Sequence, residues 1–86
     1  MPHRKLIGVV MNQAGQPIED CLIVEEDRTA EYAITTDSSG RFEILKPRGT
    51  HKVTVICKVE KYKSKEVVAE VKGTDVAINI TVEEKE

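Results

Sequence analysis

Between Val76 and Val82 an apolar side chain stands at every second position: Val76, Ile78, Ile80 and Val82 alternate with Ala77, Asn79 and Thr81. A strand sends successive side chains to opposite sides, so this period of two predicts a strand with one inward face. His51, Val53, Val55 and Cys57 alternate with Lys52, Thr54, Ile56 and Lys58 in the same manner, and Phe42 and Ile44 alternate with Arg41 and Glu43. Turn-forming residues separate the runs, at 12–17 (NQAGQP), 26–28 (EDR), 37–40 (DSSG), 46–49 (KPRG) and 72–75 (KGTD). The stretches between them predict strands over residues 5–11, 21–25, 31–36, 41–44, 51–58, 65–71 and 76–82. No stretch carries a clear 3.6-residue period. Short strands at this spacing predict an all-β chain, a seven-stranded Greek-key β-sandwich.

Composition sharpens that expectation. Val and Ile supply 19 of the 86 residues, whereas the aromatics are only Tyr32, Phe42 and Tyr62. The core is therefore expected to be aliphatic and β-branched, side chains that suit a pleated sheet. A chain of 86 residues, 40% apolar and 33% charged, is read as one globular domain over residues 1–86, with a core over about 5–82 and a charged tail over 83–86. A formal net charge of −2 provides no positive field for a phosphate backbone or an anionic bilayer, so no nucleic acid is expected as a partner. The longest apolar run, residues 6–11, is far short of the ~20 residues of a spanning helix, and no membrane insertion is expected. No secretion-signal pattern opens the sequence. A complete chain would then be cytoplasmic, and an excised domain extracytoplasmic.

Candidate chemistry is sparse. Two cysteines and two histidines, with no Cys-x-x-Cys or His-x-x-x-His spacing, do not resemble a zinc site, and neither a metal nor a cofactor is expected. A Cys-His nucleophilic pair would have to use His51 and Cys57, which on one strand lie roughly 20 Å apart. The chain is therefore not expected to be an enzyme. The 37–40 segment has one acidic residue, too few oxygens for calcium, and reads as a turn. Residues 58–65 form the one local basic cluster, and Lys61, Tyr62, Lys63 and Lys65 make a weak candidate ligand patch in which the Tyr62 ring would stack on a sugar or base. Solvated lysines guarding an edge strand are the plainer explanation.

Alternation fails in two places. If Leu6, Gly8, Val10, Cys21 and Ile23 point inward, then Ile7, Val9, Met11, Leu22 and Val24 point outward. An exposed aliphatic set of that size marks a candidate interface, for a homodimer or a protein partner, unless loops or the charged tail cover it.

Three segments in order, 8–18 (GVVMNQAGQPI), 36–44 (TDSSGRFEI) and 47–55 (PRGTHKVTV), together resemble the carboxypeptidase regulatory-like domain, a transthyretin-like or prealbumin-like sandwich. The resemblance runs from about residue 6 to 82. It implies a fold more than a function, because the matched residues are folding signals. It also implies that the second and fifth strands are neighbours, which allows a Cys21–Cys57 disulfide. The missing secretion signal favours the alternative, two buried reduced thiols. His51 departs from the pattern, which usually has an aromatic residue there, and a half-buried imidazole needs a hydrogen-bond partner. Related adhesin repeats form a Lys–Asn isopeptide bond, but their Lys aligns on Val10 and their Glu on Val55, so no crosslink is expected. The related hydroxyisourate hydrolases end in Tyr-Arg-Gly-Ser, which this C-terminus lacks. The expected function is a non-catalytic module for protein–protein interaction or assembly. The alternative is small-ligand binding, with His51, Thr35 and Glu43 as polar groups, or carbohydrate binding through Tyr32 and Tyr62.

Overall fold

The computed structural model describes residues 2–86. Its strands are β1 (Arg4–Met11), β2 (Leu22–Glu25), β3 (Ile34–Thr35), β4 (Arg41–Lys46), β5 (Gly49–Ile56), β6 (Lys65–Val71) and β7 (Val76–Thr81). They form two sheets, β4-β1-β7 and β3-β2-β5-β6, so the chain is an all-β sandwich. All pairings are antiparallel except that of β1 with β7, which is parallel.

The period of two becomes the core directly. Leu6, Val10, Cys21, Ile23, Phe42, Ile44, Val53, Val55, Cys57, Ile80 and Val82 are buried and belong to one cluster between the sheets. Val76 and Ile78 pack against it only partly buried, because β7 is an edge strand. Gly8 shows how close that packing is. It pairs directly with Phe42 across β1 and β4, and a Cβ on Gly8 would lie 2.1 Å from the Phe42 ring. The ring occupies the space that a side chain at position 8 would need.

The turns are held by their own polar groups. Asp37 Oδ1 accepts from the amides of Ser39 and Arg41, each at 2.9 Å, and Gly40 takes φ 73°, a conformation that costs glycine little. Thr36 is buried at the sheet edge, where its hydroxyl donates to Ile18 O at 2.7 Å and accepts from the Cys21 amide at 3.0 Å. That pair of bonds ties the β1–β2 connection to the strand that follows.

Two expectations are corrected. The strand predicted over 31–36 is reduced to Ile34–Thr35, preceded by a 3₁₀ turn over Ala30–Tyr32 closed by Tyr32 N–H to Thr29 O at 3.0 Å. That segment offers one large aliphatic side chain, Ile34, so little burial favours a longer edge strand. The second correction concerns the cysteines, expected as reduced thiols. Cys21 and Cys57 form a disulfide with Cα atoms 4.2 Å apart. The pairing of Leu22 with Ile56 makes Cys21 and Cys57 the next opposed positions, just before β2 and just after β5, both buried. Compartment reasoning gave no view of that register.

Candidate functional site

The five residues of the candidate interface are divided between opposite surfaces, because β1 and β2 belong to different sheets. They are not one flank. On the outer face of the three-stranded sheet, Ile7 lies between Glu43 and Ala77, Val9 between Arg41 and Asn79, and Met11 beside Thr81. All three are half-buried in single file. Charged side chains border them, with Arg41 and Lys5 paired to Glu43 at 3.1 and 3.9 Å.

Leu22 and Val24 lie on the outer face of the four-stranded sheet. Leu22 is directly opposite Ile56 and also pairs with Thr35, while Val24 faces Thr54. Leu22 is 42% exposed, and Val68, opposite Lys52 on the same face, is 62% exposed. Lys52 sits at the rim between Glu26 at 3.4 Å and Glu66 at 4.0 Å. The result is an aliphatic strip two strands wide, Leu22, Val24 and Ile56 with Thr54, bordered by charge. Ile56 and Val68 were absent from the predicted set. Ile56 was legible as the one aliphatic side chain among the outward positions of 51–58.

The candidate ligand patch does not present a ring. Tyr62 is only 4% exposed and bridges to Glu84. Lys63 N–H donates to Glu83 O at 2.9 Å and Lys85 N–H to Lys61 O at 2.8 Å, so the charged tail is paired with the 58–63 turn. The lysines are occupied as well. Lys61 Nζ lies 5.4 Å from the Tyr62 ring centre, Lys63 pairs with Glu83 at 3.7 Å, and Lys65 Nζ donates to Thr81 O at 3.0 Å. Tyr62, a weak candidate for a stacking platform, belongs to no alternating run, and its bridge partner lies 22 residues downstream. Tyr32 is 56% exposed, with the Arg28 guanidinium 5.1 Å from its ring centre.

Sequence reasoning missed a buried charge. Lys46 was placed in a turn, yet it ends β4 on the inward side, its side chain only 6% exposed, while Leu45 points out. Its Nζ is paired with Glu25 and with Asp27, the latter at 2.9 Å. Burial alone would lower the pKa of Lys46, but the hydrogen bonds it donates to Glu25 and Asp27 outweigh it and raise the value above 10.5. Asp27 is lowered from 3.8, chiefly by its hydrogen bond to Lys46. Both groups are held charged, so this lysine is neither a nucleophile nor a base at neutral pH. The cluster borders a shallow groove of about 650 Å³ that also includes Arg28, Tyr32 and Leu45.

The polar groups considered for a ligand site do not converge. Thr35 lies on the outer face of one sheet and Glu43 on that of the other. His51 finds the partner it requires in its own turn, where Nε2 donates to Pro47 O at 2.7 Å. Among the described residues no group of three His, Cys, Asp or Glu side chains is arranged to hold a metal ion.

No protein-family model and no curated protein matches this sequence. Solved structures do. The chain is similar to part of the Bacillus anthracis TIE protein, at TM-score 0.67 and 14% identity over 96% of this chain and 17% of that one. It is also similar to DUF3823 family proteins from Parabacteroides merdae (TM-score 0.59, 19% identity, 96% of this chain and 46% of that one) and Bacteroides ovatus (0.63, 13%, 94% and 44%). At these identities the likeness is one of fold. The chain spans less than half the length of each of these proteins.

Proposed function

We propose that this chain is a transthyretin-like Greek-key sandwich of the carboxypeptidase regulatory-like kind, acting as a non-catalytic assembly module that docks another protein surface through the outer face of its four-stranded sheet. The strand order supports the first part, since β2 lies beside β5 as the resemblance implies. The single observation that carries the second is the strip of Leu22, Val24 and Ile56. The inner side of the same sheet already supplies the core, so these aliphatic groups add nothing to it, and they are bordered by Lys52, Glu26 and Glu66 in the manner of an apolar interface centre with a polar rim. The three-stranded face lacks such width.

A second copy is the occupant to test first. Sedimentation equilibrium at micromolar concentration is expected to show self-association that Leu22→Glu abolishes, with an unchanged far-ultraviolet circular dichroism spectrum. A wild-type chain that stays monomeric to several hundred micromolar would overturn self-assembly.

A further inference from the structure

Independently of the Leu22 strip, we infer that the free edge of β6 binds an extended segment of another protein, one with basic side chains on either side of an apolar one. The four-stranded sheet ends at β6, which pairs only with β5. The register shows which of its backbone groups face outward. Glu26 N–H donates to Lys52 O at 3.0 Å, so Lys52, Thr54 and Ile56 turn their backbone groups toward β2, and His51, Val53 and Val55 turn theirs toward β6. Their partners on β6 are Ala69, Val67 and Lys65. The alternate residues Glu66, Val68 and Glu70 therefore aim N–H and C=O away from the sheet, and no backbone hydrogen bond among the described residues reaches them.

The other edges are shorter or partly closed. β3 has two residues. On β4 the Asp37 amide donates to Arg41 O at 3.0 Å, and the Arg41 amide donates to Asp37 Oδ1 at 2.9 Å. On β7 the Lys65 ammonium donates to Thr81 O at 3.0 Å. β6 keeps three alternate residues open in a row, the pattern that an added strand reads through main-chain hydrogen bonds.

The side chains of the same residues define the occupant. Glu66 is opposite Thr54, Val68 opposite Lys52 and Glu70 opposite Thr50, and all three stand exposed on the outer face. A strand paired to this edge sets one side chain directly across from each. Opposite charges in such positions stabilise a ladder and like charges destabilise it, so the complementary strand carries Lys or Arg, then an aliphatic residue, then Lys or Arg, at alternate positions. The neighbouring cations leave those positions open. Lys52 lies on the inner side, on β5, at 4.0 Å from Glu66 and 3.4 Å from Glu26, and Lys72 lies past the end of the strand, 3.5 Å from Glu70. These exposed pairs are weak and rearrange at little cost. A second copy does not fit. The antiparallel register that uses all three open residues of both copies is centred on Val68, and it sets each Glu66 against Glu70 of the partner subunit. The carboxylates thus discourage edge-to-edge pairing of identical chains and favour a basic strand.

The test is a titration of ¹⁵N-labelled protein with a capped seven-residue peptide that has lysine at its second and sixth positions, valine at its fourth, and serine or threonine elsewhere. Saturable shifts centred on residues 65–71 are expected. The same peptide methylated at the valine amide nitrogen, and a peptide with glutamate in place of lysine, are expected to bind at least tenfold more weakly. The Val68 amide faces solvent, so Val68→Pro is compatible with an edge strand and is expected to weaken binding at least tenfold with an unchanged circular dichroism spectrum. The double variant Glu66→Lys, Glu70→Lys, altered only at exposed side chains, is expected to reverse the preference between the lysine and glutamate peptides. Leu22→Glu is expected to bind the lysine peptide as the wild type does, which separates this edge from the proposed docking face. Absence of saturation, equal binding of the methylated peptide, or a preference unchanged by the charge reversal would overturn the site. Self-association that persists in Leu22→Glu and is removed by Val68→Pro would assign the edge to a second copy and equally overturn it.

Discussion

At the scale of single residues, Gly8 and Lys46 show opposite ways of filling a position in a sheet. Gly8 yields its space to Phe42, so Gly8→Ala is expected to force the ring aside and destabilise the fold by roughly 1–3 kcal/mol, read as a lower denaturant midpoint at unchanged slope. A neutral result would mean that the ring has room to move. Lys46 instead carries its charge inside, with Glu25 and Asp27 to hold it. The pH consequence follows from the two shifts. Asp27 is lowered in the folded state, so its contribution is present above 3.8 and is lost as pH falls through its depressed value. Lys46 is raised, so its contribution is complete below 10.5 and is lost as pH rises through the elevated value. Stability is therefore expected to be insensitive to this cluster between roughly pH 5 and 9 and to fall on both sides. Lys46→Met should cost about 1–3 kcal/mol at neutral pH by leaving Glu25 without its cation, and should remove the alkaline loss. Denaturant melts across the pH range check both.

At the scale of elements, the buried disulfide joins the residue before β2 to the residue after β5, at the end of a pair that hydrogen bonding has already aligned. Its main effect is on the unfolded chain, whose freedom it restricts across a separation of 36 residues, worth about 3–4 kcal/mol in the chain-entropy account. Replacing both cysteines with alanine is expected to lower stability by about that amount while preserving the sheet spectrum. Thiol titration of the native protein without reductant should find none free. The strands themselves were largely legible, because alternation over 41–44, 51–57 and 76–82 is a direct consequence of one face meeting the core. β3 was less so. Its length is set by how little of residues 31–36 can be buried, and the 3₁₀ turn before it leaves no period to read.

At the scale of the whole molecule, the proposed assembly distinguishes between two outer surfaces. Ile7, Val9 and Met11 were grouped with Leu22 and Val24 because all five point away from the core, but the sandwich has two outsides. The two surfaces predict different outcomes for the same kind of substitution. Val9→Glu sets a carboxylate opposite Arg41 on the three-stranded face and is expected to leave both fold and self-association intact, whereas Leu22→Glu abolishes association. Loss of association in Val9→Glu, measured by sedimentation, would move the interface to the other sheet.

What the chain determined by itself was local and periodic: the strand class, the inward set of Leu6, Val10, Ile23, Phe42, Val53 and Val55, and the turn at Asp37 to Gly40. Each depends on neighbours one to four residues away, and a pleated backbone turns such spacing directly into faces. The tertiary structure alone decided the remainder. It joined Cys21 to Cys57, buried Tyr62 beneath a segment from the far terminus, drew Lys46 between Glu25 and Asp27, and brought Arg4 and Arg48 to Gly73. Those contacts join positions far apart along the chain, and which of them meet is settled by strand order and register, properties that no single stretch of sequence contains.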